Sequence, residues 1–435
     1  MKGPTGHLRV GSNLSRKRGA RWTVSLKRFL SIFLGLANTR LETVDVMRLV
    51  TERRLAVGVR PTWRKPRCGE CGRLGRRLHG LAGKEREWRH LGPFGVMLIL
   101  VAVVHRVLCR FCGVKTMMVP WARTGSIFTR GFEDEVAWFL QRTDQTATSQ
   151  YFGLDWPTVG RIARRVTKEK LDGQLLRNLR FLGVDEIFYG RPRKFLTVVV
   201  DHERGRVIWA AEGQSSATLE RFFSEIGEEE RLRIEVVSMD MDPAFAKAVR
   251  RCAPQAEIVY DRFHVVKLLS EAVDEVRREQ VRQAADVGER QELKRSRWAL
   301  LKNPWNLTKG EGEKLSTLAQ SNGTTYRSYL LKEAFQMLYA APTVAKADTI
   351  FADWYGWARR SRLAPFIRVA ETMRKHWPGI RRFLERRITN ASSEGWNSKI
   401  RMLSHRAFGF HSADALIGMI HLCCSGLVIK PVGYS

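Results

Sequence analysis

Apolar and polar positions along this chain repeat with different periods in different stretches. Residues 128–170 carry the helical period: Phe132, Val136 and Phe139 share one face, and Val159, Ile162, Ala163 and Val166 share another. A polar stretch, Thr143 to Ser149, separates them. It is followed by Tyr151-Phe152-Gly153-Leu154-Asp155-Trp156-Pro157, in which Gly153 suits a tight turn, Asp155 an N-cap and Pro157 a first helical turn. From residue 181 the pattern becomes that of strands. Phe181–Phe188, Lys194–Val200 and Arg206–Ala211 predict three strands, with Asp201–Gly205 as the hairpin turn between the last two. Ser216 is placed to cap a helix lined by Leu219, Phe222, Phe223 and Ile226. A strand over 233–239, a helix from Pro243 through Val249, a strand over Ala256–Tyr260 and a long helix follow. Residues 267–385 read as mostly helical, with Trp298, Trp305, Trp354, Trp357 and Trp377 scattered through them. Those aromatics either build the core of a helical insertion or arm a DNA-gripping surface on which a displaced base stacks. Residues 26–60 have no decisive period.

The block at 178–266 runs strand, strand, strand, helix, strand, helix, strand, helix. A hairpin pair followed by alternation gives a mixed sheet covered by helices, the order of a ribonuclease H-like fold. Its first strand is unusual because Asp185 and Glu186 interrupt an apolar run. A carboxylate weakens a half-buried strand unless it is paired or binds a metal. Asp240 repeats the oddity at the end of the strand 233–239, which is expected to lie beside the first. Asp242 competes with it, but the apolar run ends at Asp240. Glu394 is a third such acid, expected in the first turn of a helix that Asn390 or Ser392 could cap, with Asn397 and Lys399 about a turn later. Three carboxylates from separate elements can hold two divalent ions about 4 Å apart for in-line phosphoryl transfer. Hard oxygen ligands select Mg²⁺ or Mn²⁺. No nucleophilic Ser or Cys with a partnering base is evident, nor a Walker-type phosphate loop.

Charge and cysteines sharpen this picture. The 435-residue chain has 75 Lys and Arg against 44 Asp and Glu, a formal net charge of +31. Such an excess predicts a polyanionic partner, with nucleic acid, and so double-stranded DNA, the leading candidate and an anionic membrane surface the rival. The helix after Pro157 carries Arg161, Arg164, Arg165 and Lys168 outside its apolar stripe, the layout of a helix-turn-helix whose second helix enters the major groove. The alternative is an ordinary amphipathic helix with a solvated arginine face. Residues 1–25, with Arg16, Lys17, Arg18 and Arg21, read as a basic arm or an uninformative leader. Four of the seven cysteines form two C-x-x-C knuckles, Cys68/Cys71 and Cys109/Cys112, with 37 residues between them and each followed by Gly. They supply a complete tetrahedral thiolate set for a structural zinc. His79, His90 and His105 could substitute but are not needed. An odd cysteine count built on knuckles suits a reducing compartment and not a disulfide framework. No run reaches the roughly 18 apolar residues of a membrane span. The apolar run ending at Ala37 lies too late, behind a basic leader, for a signal peptide.

Taken together these pieces resemble the bacterial insertion-sequence transposases of the Asp–Asp–Glu type, ISL-three family. The likeness runs from the first knuckle to about residue 425. It rests on Cys68-x-x-Cys71…Cys109-x-x-Cys112, Gly183-Val184-Asp185-Glu186, Met239-Asp240, Tyr260-Asp261-Arg262-Phe263-His264-Val265-Val266-Lys267, and Thr389-Asn390 with Glu394-Gly395-x-Asn397-x-Lys399. The resemblance implies that Asp185, Asp240 and Glu394 are the metal-binding triad. It also implies that Asp261 and His264 lie near the site and position DNA or the nucleophile. The implied chain is an α/β multidomain protein. An N-terminal arm and short segment (1–60) precede a zinc ribbon (61–122) and a helix-turn-helix (123–175). A ribonuclease H-like core follows in two parts (176–266 and 386–435), split by a helical insertion (267–385). The implied activity is binding of terminal inverted repeats, metal-dependent strand cleavage and transfer by 3′-hydroxyl attack. At least a dimer would act on the DNA, in the bacterial cytoplasm at the nucleoid. The alternatives are a catalytically inactive or domesticated DNA-binding derivative and a structure-selective nuclease.

Overall fold

The computed structural model describes residues 34–45, 52–78, 83–92, 95–171, 173–386, 391–407, 409–410 and 412–431, with residue 174 and residues 391–394 described by their backbone alone. The basic arm at 1–25, His79 and Asn390 lie outside the described residues, as does the side chain of Glu394. The chain forms two compact units, residues 1–170 with the last eight residues, and residues 171–427.

Among its described residues the first unit contains two sheets. β1 (Thr39–Asp45), β2 (Arg54–Pro61), β4 (Lys84–His90) and β5 (Met97–Val104) form a four-stranded sheet in the order β1-β2-β5-β4, with β2 and β5 parallel. β3 (Arg76–Arg77), β6 (Arg106–Cys109) and β7 (Gly113–Thr116) form a small antiparallel sheet that carries the second knuckle. The strands between the knuckles therefore divide, and β4 and β5 belong with β1 and β2 across the boundary expected at residue 60. Trp88, Leu98, Leu100, Val57 and Trp121 fill the core of the larger sheet, with Trp88 and Trp121 packed edge to face at 5.5 Å.

Three helices follow: α1 (Arg130–Arg142), α2 (Gln145–Phe152) and α3 (Trp156–Lys170). The polar stretch expected to separate two helices is itself α2. Its N-cap is Asp144, whose carboxylate accepts from the Ala147 amide, and Gly153 ends it in the left-handed region at φ 58°. Asp155 accepts from the Thr158 amide at 3.2 Å, so the start of α3 is capped as its sequence predicts. One charged network lies beneath α1 and α3. Glu133 is fully buried and accepts from Arg123 at 3.1 Å, Ser126 at 2.7 Å and Arg165 Nε at 2.9 Å.

The second unit is built on a five-stranded sheet, β10-β9-β8-β11-β12, where β8 is Phe181–Gly190, β9 Lys194–Asp201, β10 Arg206–Glu212, β11 Val236–Met239 and β12 Glu257–Tyr260. β8, β9 and β10 form an antiparallel meander, and β11 and β12 join parallel to β8. Helix α4 (Ser216–Arg233) is capped by Ser215, one residue before the expected Ser216, and runs to Arg233, so β11 starts later than predicted. α5 (Pro243–Cys252) and α6 (Arg262–Gln283) follow β11 and β12. Alternation along the strands sends Leu182, Val184 and Val199 into the main core with Phe222, Phe223 and Phe245. The opposite face, with Ile187, Leu196 and Val198, is covered by α13 (Ala391–Arg406) and α14 (Ala413–Cys424).

The intervening segment is helical: α7 (Val287–Arg295), α8 (Arg297–Leu301), α9 (Lys309–Ser321), α10 (Gly323–Gln336), α11 (Val344–Arg360) and α12 (Ala364–Arg386). Its tryptophans differ in exposure. Trp354 is buried and Trp377 stacks on Phe351 at 3.9 Å, whereas Trp298 and Trp305 stand 64% and 68% exposed.

Candidate functional site

Parallel pairing places the acids. Ser238 of β11 is level with Gly183 of β8, so two residues further along each strand Asp240 comes level with Asp185. Met239 is level with Tyr260 of β12, which brings Asp261 into the same row, and the Asp261 amide donates to the Met239 carbonyl at 3.0 Å. Three aspartates thus stand abreast across three parallel strands, Asp185 within β8 and Asp240 and Asp261 just past the ends of β11 and β12, where α5 and α6 follow. Asp185 has the strand parity of Ile187, which puts it on the face covered by α13. From that helix Asn397 Nδ2 donates to Asp185 Oδ2 at 2.5 Å. Glu394 lies one turn before Asn397 in α13, and positions three apart share a helix face.

Electrostatics agree with this juxtaposition. Burial pushes the Asp185 carboxyl above its usual range, against the Glu186 amide, His264 and Asn397, which favour its charged form. Asp240 is likewise pushed up by burial, with His264 opposing and the charges of Asp242 and Asp185 adding to the rise. Glu186 rises to about 7 through burial and the neighbouring charges of Asp240, Asp242 and Asp185. Burial would lower His264, but the carboxylates of Asp261, Asp185 and Asp240 outweigh it and leave the imidazole raised. Its Nδ1 lies 3.4 Å from Asp261 Oδ2, an ion pair in which both buried atoms lack a well-aligned hydrogen bond. Asp242 has a separate task. It caps α5, accepting from the Ala244 and Phe245 amides, while Asp240 Oδ1 accepts from the Asp242 amide.

The cysteine knuckles converge. The four ligand atoms of Cys68, Cys71, Cys109 and Cys112 lie within 4.8 Å of one another, and the Cys71 and Cys109 sulfurs are 3.6 Å apart. Zn–S bonds of about 2.3 Å in a tetrahedron put sulfurs ~3.8 Å apart, so the cluster fits zinc. Gly72 and Gly113 sit at φ 70° and 69°, the left-handed turn that aims amides at the sulfurs. The Phe111 and Cys112 amides, chief among several groups, pull the Cys109 thiol down to about 7. His90 is buried and bonded to Thr129 Oγ1 at 2.7 Å, away from any ligand role.

On α3, Arg161, Arg164 and Lys168 are exposed, whereas Arg165 turns inward to Glu133. The sequence marked Asn397 about a turn after Glu394, in Glu394-Gly395-x-Asn397-x-Lys399, but gave it no role; its contact with Asp185 is the feature that ties α13 to the acid row.

The comparisons with known proteins follow the same division. Residues 182–420 match the model of a transposase domain of the ISL3 family. Residues 117–167 match the helix-turn-helix domain of transposase family ISL3, and residues 64–112 the zinc-finger of transposases IS204/IS1001/IS1096/IS1165. The chain therefore belongs to the ISL3 family of insertion-sequence transposases, DNA-acting enzymes that here carry a helix-turn-helix and a structural zinc ribbon. It is 35% identical over 385 residues to the transposase for insertion sequence element IS1557 of Mycobacterium tuberculosis, covering 83% of this chain and 86% of that protein. It is 28% identical over 365 residues to the transposase for insertion sequence element IS1001 of Bordetella parapertussis, covering 83% and 89%. Among the described residues, no helix is long and apolar enough to cross a membrane.

Proposed function

We propose that this transposase uses Asp185, Asp240 and Glu394 as a divalent-metal triad, on a ribonuclease H-like sheet, to cut and join DNA at the ends of its element. The single observation that carries this reading is the level placement of Asp185 and Asp240 on adjacent parallel strands, with the helix of Glu394 bound to Asp185 through Asn397. The strand order, with three antiparallel strands and two parallel ones beside the first, supports the fold assignment. The donor set fits a hard cation. Asp185 and Asp240 are pushed up, chiefly by burial, Asp240 also by the charge of Asp185, and the Asp261 oxygen facing His264 has no well-made hydrogen bond. Mg²⁺ or Mn²⁺ bound there would supply the Lewis acidity that activates water or a 3′-hydroxyl and stabilises the departing oxygen.

The protein's own groups hold the geometry. Asn397 fixes the Asp185 carboxylate, and Asp242 fixes the start of α5 so that Asp240 is presented at the strand end. Asp261 anchors His264, whose raised pKa keeps it protonated over a wider pH range and suits it to a phosphate or a developing alkoxide. Arg161, Arg164 and Lys168 on α3 are the side chains that would read or track the terminal inverted repeat. Recombining two ends calls for at least a dimer on DNA, acting at the nucleoid in the cytoplasm.

The test is incubation of the full-length, zinc-loaded protein with a labelled duplex carrying the element's end and a target plasmid, in Mg²⁺ or Mn²⁺. Nicking that exposes a 3′-hydroxyl at the end, followed by joining to the plasmid, is the expected result. Tight end binding without cutting in either metal would leave the DNA-binding derivative as the better account.

A further inference from the structure

A second cationic feature lies in the 171–427 unit. A cleft of about 300 Å³ opens along the edge strand β12, between the end of α5 and the middle of α12. Its walls carry Arg250 from α5 and Lys375, His376 and Arg382 from α12, with Tyr260 and Glu257 from β12. Glu257 is already engaged, by Arg386 at 3.0 Å. Arg250, Lys375 and Arg382 make no ion pair among the described residues, so the cleft holds three uncompensated cations, with His376 beside them.

Helix α12 comes close to β12 here through a glycine. A Cβ at Gly379 would meet the Tyr260 ring at 2.4 Å, so only glycine lets the helix settle on that ring. The preceding Pro378 removes one helical hydrogen bond. Tyr260 immediately precedes Asp261, and its phenol, raised first by burial, also feels Arg250 and Asp240. The cleft thus begins beside the acid row and runs away from it. At ~30 Å³ per water it has room for about ten waters, enough for a phosphate with its sugar. It offers little to read a base: the Gln255 amide is spent on the carbonyls of Arg231 and Ile234.

We propose that this cleft grips the sugar-phosphate backbone of the DNA beyond the acid row, independently of sequence. The inference rests on the transposase reading for its substrate, but its readout does not depend on cutting.

The test uses the full-length, zinc-loaded protein and the Arg250→Gln/Lys375→Gln/Arg382→Gln variant. Binding to the element's end and to a duplex of unrelated sequence is measured in Ca²⁺ between about 50 and about 200 mM salt. Each lost phosphate contact lowers the slope of log K against log salt by about 0.9, or about 3.5-fold in affinity over that range. The slope should therefore fall by about 2 to 3 on both duplexes equally, with up to about 40-fold less salt sensitivity. An Arg250→Lys/Arg382→Lys variant should keep the wild-type slope, and single Gln variants should each lose about one contact. Unchanged slopes in the triple variant, while wild type cuts the element end, would overturn the inference and leave the transposase reading intact. A reduced slope with a wild type that never cuts would support the cleft and sink the catalytic reading instead.

Discussion

Replacing Ile400 by alanine should uncouple Glu394, the third acid of the proposed triad, from the other two without loosening the whole protein. Ile400 is fully buried, in a cluster with Ile187, Leu196 and Val198 on the face of the sheet opposite the main core. It lies six residues after Glu394 in α13, about 9 Å along the helix axis at 1.5 Å per residue. Truncating a buried isoleucine to alanine costs about 2–5 kcal/mol. Because this cluster is separate from the main core, much of that cost should fall on the docking of α13. At about 1.4 kcal/mol per factor of ten, the open fraction of the helix would rise between about 30-fold and about 4,000-fold. Hydrogen exchange of amides 395–406 reads this directly, beside end binding and end cleavage on the same DNA. Exchange should accelerate within that range, end binding should hold, and cleavage should fall at least tenfold. Ile400→Val, costing about 0.5–1.5 kcal/mol, should stay near wild type in cleavage. Accelerated exchange with undiminished cleavage would show that the position of α13 does not matter to the chemistry, and the reasoning would fail.

Other outcomes follow from the first unit. Cys109→Ser removes one of four zinc thiolates, and a structural zinc contributes on the order of 10 kcal/mol. The protein should lose its zinc by elemental analysis and unfold β3, β6 and β7, and retention of one zinc per chain would contradict the ligand set. Arg164→Gln should change stability by less than about 0.5 kcal/mol and lower the DNA salt slope by about one. Arg165→Gln should do the reverse, costing about 1.5–3 kcal/mol in a denaturant melt because it strips a charged donor from buried Glu133. Equal salt slopes for the two variants would count against that division. Burial lowers His90 to about 4, opposed only by a backbone contact at Leu34. The folded state therefore resists protonation that the unfolded chain accepts at about 6.5. Stability is full above that value, falls as pH drops towards 4, by up to about 3 kcal/mol, and levels off below. A His90→Gln variant should show a flatter pH profile in thermal melts, and an unchanged profile would assign the acid loss elsewhere.

What the sequence disclosed and what it hid have physical causes. The meander β8–β9–β10 was legible because β-branched runs end at turn residues, and Asp185 stood out because a carboxylate in such a run needs a reason. The pairing of β2 with β5 was not, since parallel strands distant in sequence carry no local signal, and β4, Lys-Glu-Arg-Glu-Trp-Arg-His, has too few apolar residues to alternate. Helix α2 was hidden because Gln-Thr-Ala-Thr-Ser-Gln has no apolar stripe, and its caps at Asp144 and Gly153 with the docked Phe152 hold it instead. The role of Arg165 could not be read from a helical wheel. Its partner Glu133 lies 32 residues away, and only tertiary packing turns that side chain inward. The level row of Asp185, Asp240 and Asp261 depends on strand register, which no single strand encodes.

Cleavage of a labelled duplex bearing the element's end, in Mg²⁺ or Mn²⁺, tests the triad most directly when wild type is run beside Asp185→Ala, Asp240→Ala and Glu394→Ala. Wild type should cut at the end, and each variant should bind that DNA as tightly yet cut at least about 10²-fold more slowly. Wild-type cutting by any one of the three variants would remove that residue from the metal site, and wild-type cutting by Glu394→Ala would break the link between α13 and the acid row.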